Sequence, residues 1–435
     1  MTTDISGLTS APPAPRQMLG TLFEEAINAI SASHAMPSRF PAPIGAGRTL
    51  LIAVGKAAAE MAAVATERVT GPLSGLVITR TGHGVDQGRL ESRLDYIEAG
   101  HPVPDAESLD AAARALAMAR ELEPGDRLLA LISGGGSALM ALPVPGVTLA
   151  DKQAVTGMLL RSGAMISEIN CVRKHLSLIK GGRLAVAAAP ASVQTLIISD
   201  IPGDDPSFVA SGPTVADHST LAEARAVLDR YGIDAPEAVK SALADDANET
   251  PHADSLGLAG SEVSVIAKAR DALAASGRLA ESFGYRVTDL GDRLQAEARH
   301  LGAGHAGLAR RLAADGLPRV ILSGGETTVR VTNAAGRGGR NLEYLLGLAI
   351  ALDGAPRIHA IACDTDGIDG TEDVAGAIIG PDTLARAAAL GLDPAAALKA
   401  NESYLFFRAL GDLVVTGPTR TNVNDFRAIL IEGAD

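Results

Sequence analysis

Tryptophan is absent from the 435-residue chain, aromatic residues make up only 3%, and there are two cysteines, Cys171 and Cys363. Two cysteines cannot build a disulfide framework and give no sign of an oxidising compartment. With so few rings, the interior has to be assembled from alanine, leucine, valine and isoleucine. Glycine or proline breaks every apolar run before the roughly 18 residues a membrane span needs, so no membrane association is expected. The opening MTTDISGLTSAPPAPRQ lacks the basic stretch and apolar core of a signal peptide, which makes the cytoplasm the expected compartment. Positive charge is also short, the net charge being -13 at pH 7. That balance argues against a nucleic-acid partner, yet a small anionic substrate needs only local cations.

What is present is apolar residues at 47%, charged residues at 20% and 47 glycines, the mixture of a globular chain with many tight turns. Its length exceeds one ordinary core, so two domains are expected. The first 15 or so residues read as a frayed tail, and residues 17–35 as helical. Strand-like runs at 49–54, 75–79, 94–99, 127–132 and 193–199 alternate with alanine- and leucine-rich helical stretches. That alternation predicts a parallel sheet with helices on both faces. A polar passage at 232–262 is the preferred boundary or surface excursion. The last third offers strands at 319–323, 327–331, 357–363, 412–416 and 427–431, with a helix near 341–352.

LLALISGGGSALM (128–140) is a buried strand that breaks into Ser133-Gly134-Gly135-Gly136-Ser137. Such a loop entering a helix points backbone N–H groups at an anion. The common phosphate and nucleotide motifs do not fit it. The Gly45–Gly47 pair precedes its strand, so the dinucleotide fingerprint fails, and neither a Walker A loop nor a nucleophile elbow occurs. Lys56 follows the first strand, where ligands of open α/β sheets gather, and a compact ammonium there suits phosphoryl oxygens. NCVRKHLSLIKGGRLA (170–185) is dense in cations, with Arg173 and Lys180 among them; His175 reads as structural. Asp200 ends a strand and is followed by Asp204 and Asp205, carboxylates suited to Mg²⁺ or to turn caps. Glu326 follows another strand. Arg340 and Asn341 then emerge from Gly336-Arg337-Gly338-Gly339, where a guanidinium suits a phosphoryl or carboxylate group. Asp364, Asp366 and Asp369 share the loop ACDTDGIDGTED, which fails as a calcium loop at Ile368 and Ala375. Anion loop, lysine, arginine and strand-end carboxylates together are the equipment of phosphoryl transfer.

These blocks, with TGPTRTNVND (416–425), closely resemble the glycerate 2-kinase family, whose C-terminal domain is called MOFRL and some of whose members bear the older name hydroxypyruvate reductase. The resemblance spans roughly 17–432. It implies an α/β protein of two domains, each with a mainly parallel sheet, a Rossmann-like one at 17–250 and the MOFRL domain at 316–432. Residues 251–315 would connect them, and the active site would lie in the cleft between domains. It implies transfer of phosphate from ATP, with Mg²⁺, to the 2-hydroxyl of D-glycerate, and active-site roles for Lys56 and Arg340. On this reading Ser133–Ser137 and Lys180 hold the ATP phosphates. Asp200, Asp366, Glu326, Asn341 and Arg173 serve the substrate or accept its proton, and Asp204 or Asp364 serves the metal. Leu342 departs from the glutamine usual in the family. A homodimer is one expected assembly. An NAD(P)H-dependent hydroxypyruvate reductase and a non-catalytic binding protein are the alternatives. Alanine at Arg340 is expected to abolish turnover and leave folding intact.

Overall fold

The computed structural model describes residues 13–84 and 93–434, so most of the expected tail, residues 1–12, lies outside the described residues. The chain divides into two compact units. Unit I comprises Ser31–Ala267 with Arg420–Asn422; unit II takes the residues through Ile30, Lys268–Thr419 and those from Val423 on.

Unit I is built on six strands: β1 (Thr49–Val54), β2 (Leu73–Arg80), β3 (Leu94–Ala99), β4 (Arg127–Ile132), β5 (Ser192–Ile198) and β6 (Glu262–Ala267). Their order is β3-β2-β1-β4-β5-β6, every pairing parallel. β1 (TLLIAV) and β4 (RLLALI) are buried along their whole length, as unbroken apolar runs in the middle of a helix-covered parallel sheet should be. The helix Ala106–Arg120 packs on this sheet and starts at Asp105, whose carboxylate accepts the Ser108 N–H at 2.9 Å. Strand order runs outward in opposite directions from β1 and β4, so the switch point of the sheet falls between their carboxyl ends. A helical layer of Leu149–Ser162, Ile166–His175, Leu221–Arg230 and Glu237–Ala244 has its own apolar core, including Val155, Leu159, Val172, Val227 and Val239. The passage at 232–262 is therefore no boundary: it holds the last of these helices and leads into β6.

Unit II holds β7 (Arg286–Asp289), β8 (Arg319–Gly325), β9 (Ile358–Asp364), β10 (Gly376–Ile379), β11 (Leu413–Val414) and β12 (Asp425–Ile431), in the order β11-β10-β9-β12-β8-β7. This sheet is mixed, where a mainly parallel one was expected. Among the described residues only β7 and β8 pair in parallel. Two local features account for this: no helix separates β9 from β10, so the chain returns antiparallel, and β12 inserts antiparallel between β8 and β9. TTVRV (327–331) is not a strand; Thr328 makes an isolated bridge to Glu297, and Thr328 and Arg330 are exposed. The expected connector 251–315 contains β6, β7 and the helices Ala269–Ser282 and Ala298–Ala313, and it is divided between the units. The helix Pro15–Ile30, expected at the head of the N-terminal domain, belongs to unit II.

Register places the chemistry of unit II. Because β12 runs antiparallel to both neighbours, its first residue, Asp425, stands opposite the last residues of β8 and β9, Gly325 and Asp364. The helix Arg340–Leu352 starts beside them and packs against Ala298–Ala313.

Candidate active site

In unit I the switch point holds Lys56 after β1 and the Ser133–Ser137 loop after β4. The two turns are laced together: the Lys56 N–H donates to the Gly134 carbonyl at 2.9 Å, and the Ser133 hydroxyl accepts the Ala57 N–H at 3.0 Å. Ser133 is fully buried, so its side chain braces the turn. No hydrogen bond within the described residues engages the Gly134 or Gly135 N–H groups, and these are the donors an anion would meet. The helix that follows, Gly136–Leu139, is a single turn.

Asp200, just past β5, faces this loop. A methyl group at residue 134 would sit 1.9 Å from Asp200 Oδ2 and 2.8 Å from Asn422 Nδ2, so only glycine lets that carboxylate approach. Asn422 donates to Asp200 Oδ2 at 3.1 Å. Asp204 lies further along the same loop, half-buried and at φ 58°, and Asp205 accepts the Ser207 N–H in a tight turn.

On the other side of the loop, the Arg173 guanidinium donates to the Ser137 hydroxyl at 2.7 Å, and Ser137 also pairs with Ser211 at 2.9 Å. Lys180 is 1% exposed and spends its ammonium on the Ser137 and Met140 carbonyls, at 2.8 and 3.1 Å. It therefore holds the loop from beneath. Burial, with Lys152 and Arg173 nearby, drives its pKa well below the ordinary lysine value. His175 is structural, bonded to the Cys171 carbonyl and to Glu249.

In unit II Arg340 is clamped between carboxylates. Its Nη2 donates to Asp364 Oδ2 at 2.6 Å and its Nε to Asp425 Oδ1 at 2.7 Å. Burial opposes the charge, but Asp425 and Asp364, with Glu326 and Asp369 behind them, hold the guanidinium well above its ordinary pKa. Arg427 pairs with the other oxygen of Asp425. Asn341 donates to Asp425 Oδ1 at 2.8 Å, while its own buried Oδ1 has no partner. Asp369 accepts the Asn341 and Leu342 N–H groups at 3.0 and 2.9 Å and so closes the start of the helix Arg340–Leu352, where a negative charge is favoured. Burial nevertheless pushes its pKa up to about 6, against those two N–H groups and Arg340 and with the help of Asp425. Leu342 meets the site only through its backbone; its side chain is fully buried in the apolar core. Asp366 is buried and accepts the Ile368 N–H at 2.8 Å. Glu326, beyond β8, is exposed.

The sequence-derived residues thus gather into two sets. Lys56, Ser133–Ser137, Arg173, Lys180 and Asp200 belong to unit I, with Asp204 apart from that cluster. Glu326, Arg340, Asn341, Asp364 and Asp366 belong to unit II. Reading the residues one by one missed Asn422, Asp425 and Arg427, although the first two lie in the stretch TNVND. It also missed Lys152, which sits in a helix that reads as an ordinary solvated one.

Among the described residues no group of three or more histidine, cysteine or acidic side chains is arranged to hold a metal ion. Mg²⁺ at a phosphate site takes one or two carboxylates and completes its shell with phosphate oxygens and water. Asp200, held at the bare face of Gly134, fits that requirement. Asp364, already paired with Arg340, fits it less well.

A family model described as a domain of unknown function, DUF4147, matches residues 18–244, and the MOFRL family model matches residues 319–425. A relative from Agrobacterium vitis is 51% identical over 96% of this chain and 94% of its own; its name, given provisionally, is hydroxypyruvate reductase. The D-glycerate 2-kinase of Thermotoga maritima is 38% identical over 95% of this chain and 98% of its own. A crystal structure of a Thermotoga maritima glycerate kinase superposes with a TM-score of 0.84 at 37% identity, covering 96% of this chain and 99% of that one. The chain belongs to the glycerate 2-kinase family with a C-terminal MOFRL domain.

Proposed function

We propose that this protein is an ATP-dependent kinase that phosphorylates D-glycerate at its 2-hydroxyl to give 2-phosphoglycerate. The observation that carries the reading is the turn pair at the switch point of unit I. Two unengaged N–H groups, Lys56 and Asp200 converge there, after β1 and β4, on a family background of glycerate 2-kinases. The Gly134 and Gly135 N–H groups and Lys56 receive phosphate oxygens. Asp200 would hold Mg²⁺, which supplies charge neutralisation to the phosphates. Arg340, kept protonated by its carboxylates, offers a fixed positive charge to the group in transfer. The hydroxyl proton goes to Glu326, which is exposed, whereas Asp366 is buried and tied into a turn. Substrate and nucleotide are small cytoplasmic molecules, and the cytoplasm is the proposed place of action.

The reductase reading has a relative's name in its favour. Against it, β1 runs into Gly55-Lys56-Ala57 with no dinucleotide fingerprint, and the glycine loop follows β4. A paired assay on the purified protein separates the two. D-Glycerate with MgATP should yield ADP and 2-phosphoglycerate, and hydroxypyruvate should leave NADH and NADPH unconsumed. Consumption of reduced nicotinamide without ADP formation would overturn the proposal.

A further inference from the structure

Unit I contains a second concave feature beside the glycine loop, a cavity of about 190 Å³ lined by Ser137, Lys152, Arg173, Thr156 and the Pro102–Pro104 segment. Its floor is cationic. Lys152 is 6% exposed and its ammonium donates to the Leu176 carbonyl at 3.1 Å; Arg173 reaches Ser137; Lys180 lies behind. No carboxylate pairs with any of the three among the described residues, in a chain that carries 51 acidic residues against 38 basic ones. Cations withdrawn from water without a counter-charge are costly, so an acidic chain that gathers two buried lysines beside the half-buried Arg173 reserves the spot for an anion it does not itself supply. Burial holds the Lys152 pKa well below the ordinary value, with Arg173 and Arg183 adding to it, and a bound anion would relieve that penalty.

The remaining wall sets the class of anion. Pro102, Val103, Pro104, Ala141 and Leu149 are apolar, no acidic side chain lines the cavity, and no aromatic ring offers a face for a base. The volume is below the roughly 300–1,000 Å³ of pockets that enclose drug-sized molecules. A planar guanidinium beside a hydroxyl and an ammonium matches a carboxylate. We infer that this cavity receives the carboxylate of a small organic acid, and that the acid is the kinase's own hydroxy-acid substrate. The identification of the acid rests on the proposed kinase reaction; the carboxylate site does not. Lys152, which the sequence does not single out, then becomes a substrate-binding residue.

Lys152→Met removes the ammonium and keeps the stem, and Thr156→Phe fills the cavity with every cation in place. The second variant keeps the test sound if the first fails to fold, which a thermal melt shows. Titration calorimetry with D-glycerate alone, without nucleotide, should show binding weakened about tenfold or more in both variants, the scale of removing one partner of a charged contact. The KM for D-glycerate should rise by a similar factor while the KM for MgATP stays put. Unchanged glycerate binding and KM, or a rise confined to the KM for MgATP, would overturn the inference. If the wild type binds D-glycerate but forms no ADP, the kinase reading fails and the carboxylate site stands.

Discussion

Arg340 holds two buried carboxylates, Asp364 and Asp425, which are 2% exposed each, so its removal is a folding matter as well as a catalytic one. The expectation that alanine there would leave folding intact does not survive this geometry. Deleting one partner of a buried ion pair costs up to about 3–5 kcal/mol, and less where the carboxylates keep other partners, as Asp425 keeps Arg427 and Asn341. Arg340→Ala should therefore lower the unfolding free energy by up to that scale, read as a lower urea midpoint, and abolish turnover. Adding Asp364→Asn should restore part of the stability and none of the activity, the signature of coupled sites. An unshifted midpoint in the single variant would mean the pair is not buried as described. Residues of this kind differ in how readable they are from sequence. Lys56 and Arg340 stand out because a lone cation beside glycines has few structural excuses. Asp425 opens a strand and Lys152 sits inside a helix, places where an ionic side chain is ordinary, and only register and burial show that both face other charges.

Elements were most legible where they are central. β1, β4, β9 and β12 are buried along nearly their whole lengths and announce themselves as apolar runs. β6 (EVSVIA) and β7 (RVTD) sit at sheet edges with half-exposed residues, and β10 has only four, so pattern alone could not separate them from loop. The mixed direction of the unit II sheet was hidden for a related reason: composition reports which segments are strands, and connection geometry decides how they run. One contact between elements was wholly invisible. Helices Ala298–Ala313 and Arg340–Leu352 approach closely at Gly302 and Gly347. A methyl group at 302 would lie 2.2 Å from the Tyr344 carbonyl oxygen, and one at 347 would lie 2.6 Å from that of Arg299. Gly302→Ala gains helix propensity, roughly 1 kcal/mol in a free helix. Here it should instead destabilise unit II by about 1–3 kcal/mol, because the backbones must part. Since the displaced helix begins at Arg340, kcat should fall as well. A Gly302→Ala protein that melts higher than wild type would show that the helices do not touch there.

At the scale of the molecule, neither unit is one continuous piece of chain. The helix Pro15–Ile30 is laid down first and then left behind while Ser31–Ala267 builds unit I. It buries Met18, Leu19, Leu22, Phe23, Ala26 and Ile30 in unit II, where Phe23 stacks 5.7 Å from Phe426 and Ser276 donates to the Leu22 carbonyl at 2.7 Å. Burying each large apolar side chain is worth about 1.5–3 kcal/mol, and five of the six are large. Together they are worth about 8–15 kcal/mol, the same scale as the roughly 5–15 kcal/mol that holds a whole domain folded. Deletion of residues 1–30 should thus cost unit II its cooperative fold, although it removes none of the MOFRL match at 319–425. Calorimetry of the shortened chain should lose the unfolding heat belonging to unit II and keep that of unit I, whose sheet and glycine loop lie within Ser31–Ala267. A separate peptide spanning 13–35 should restore part of the lost heat, because the apolar face it fills is already shaped. Should the deletion melt like the full chain, the boundary drawn from sequence between 250 and 316 would be the working one after all, and the first helix only an ornament on unit II.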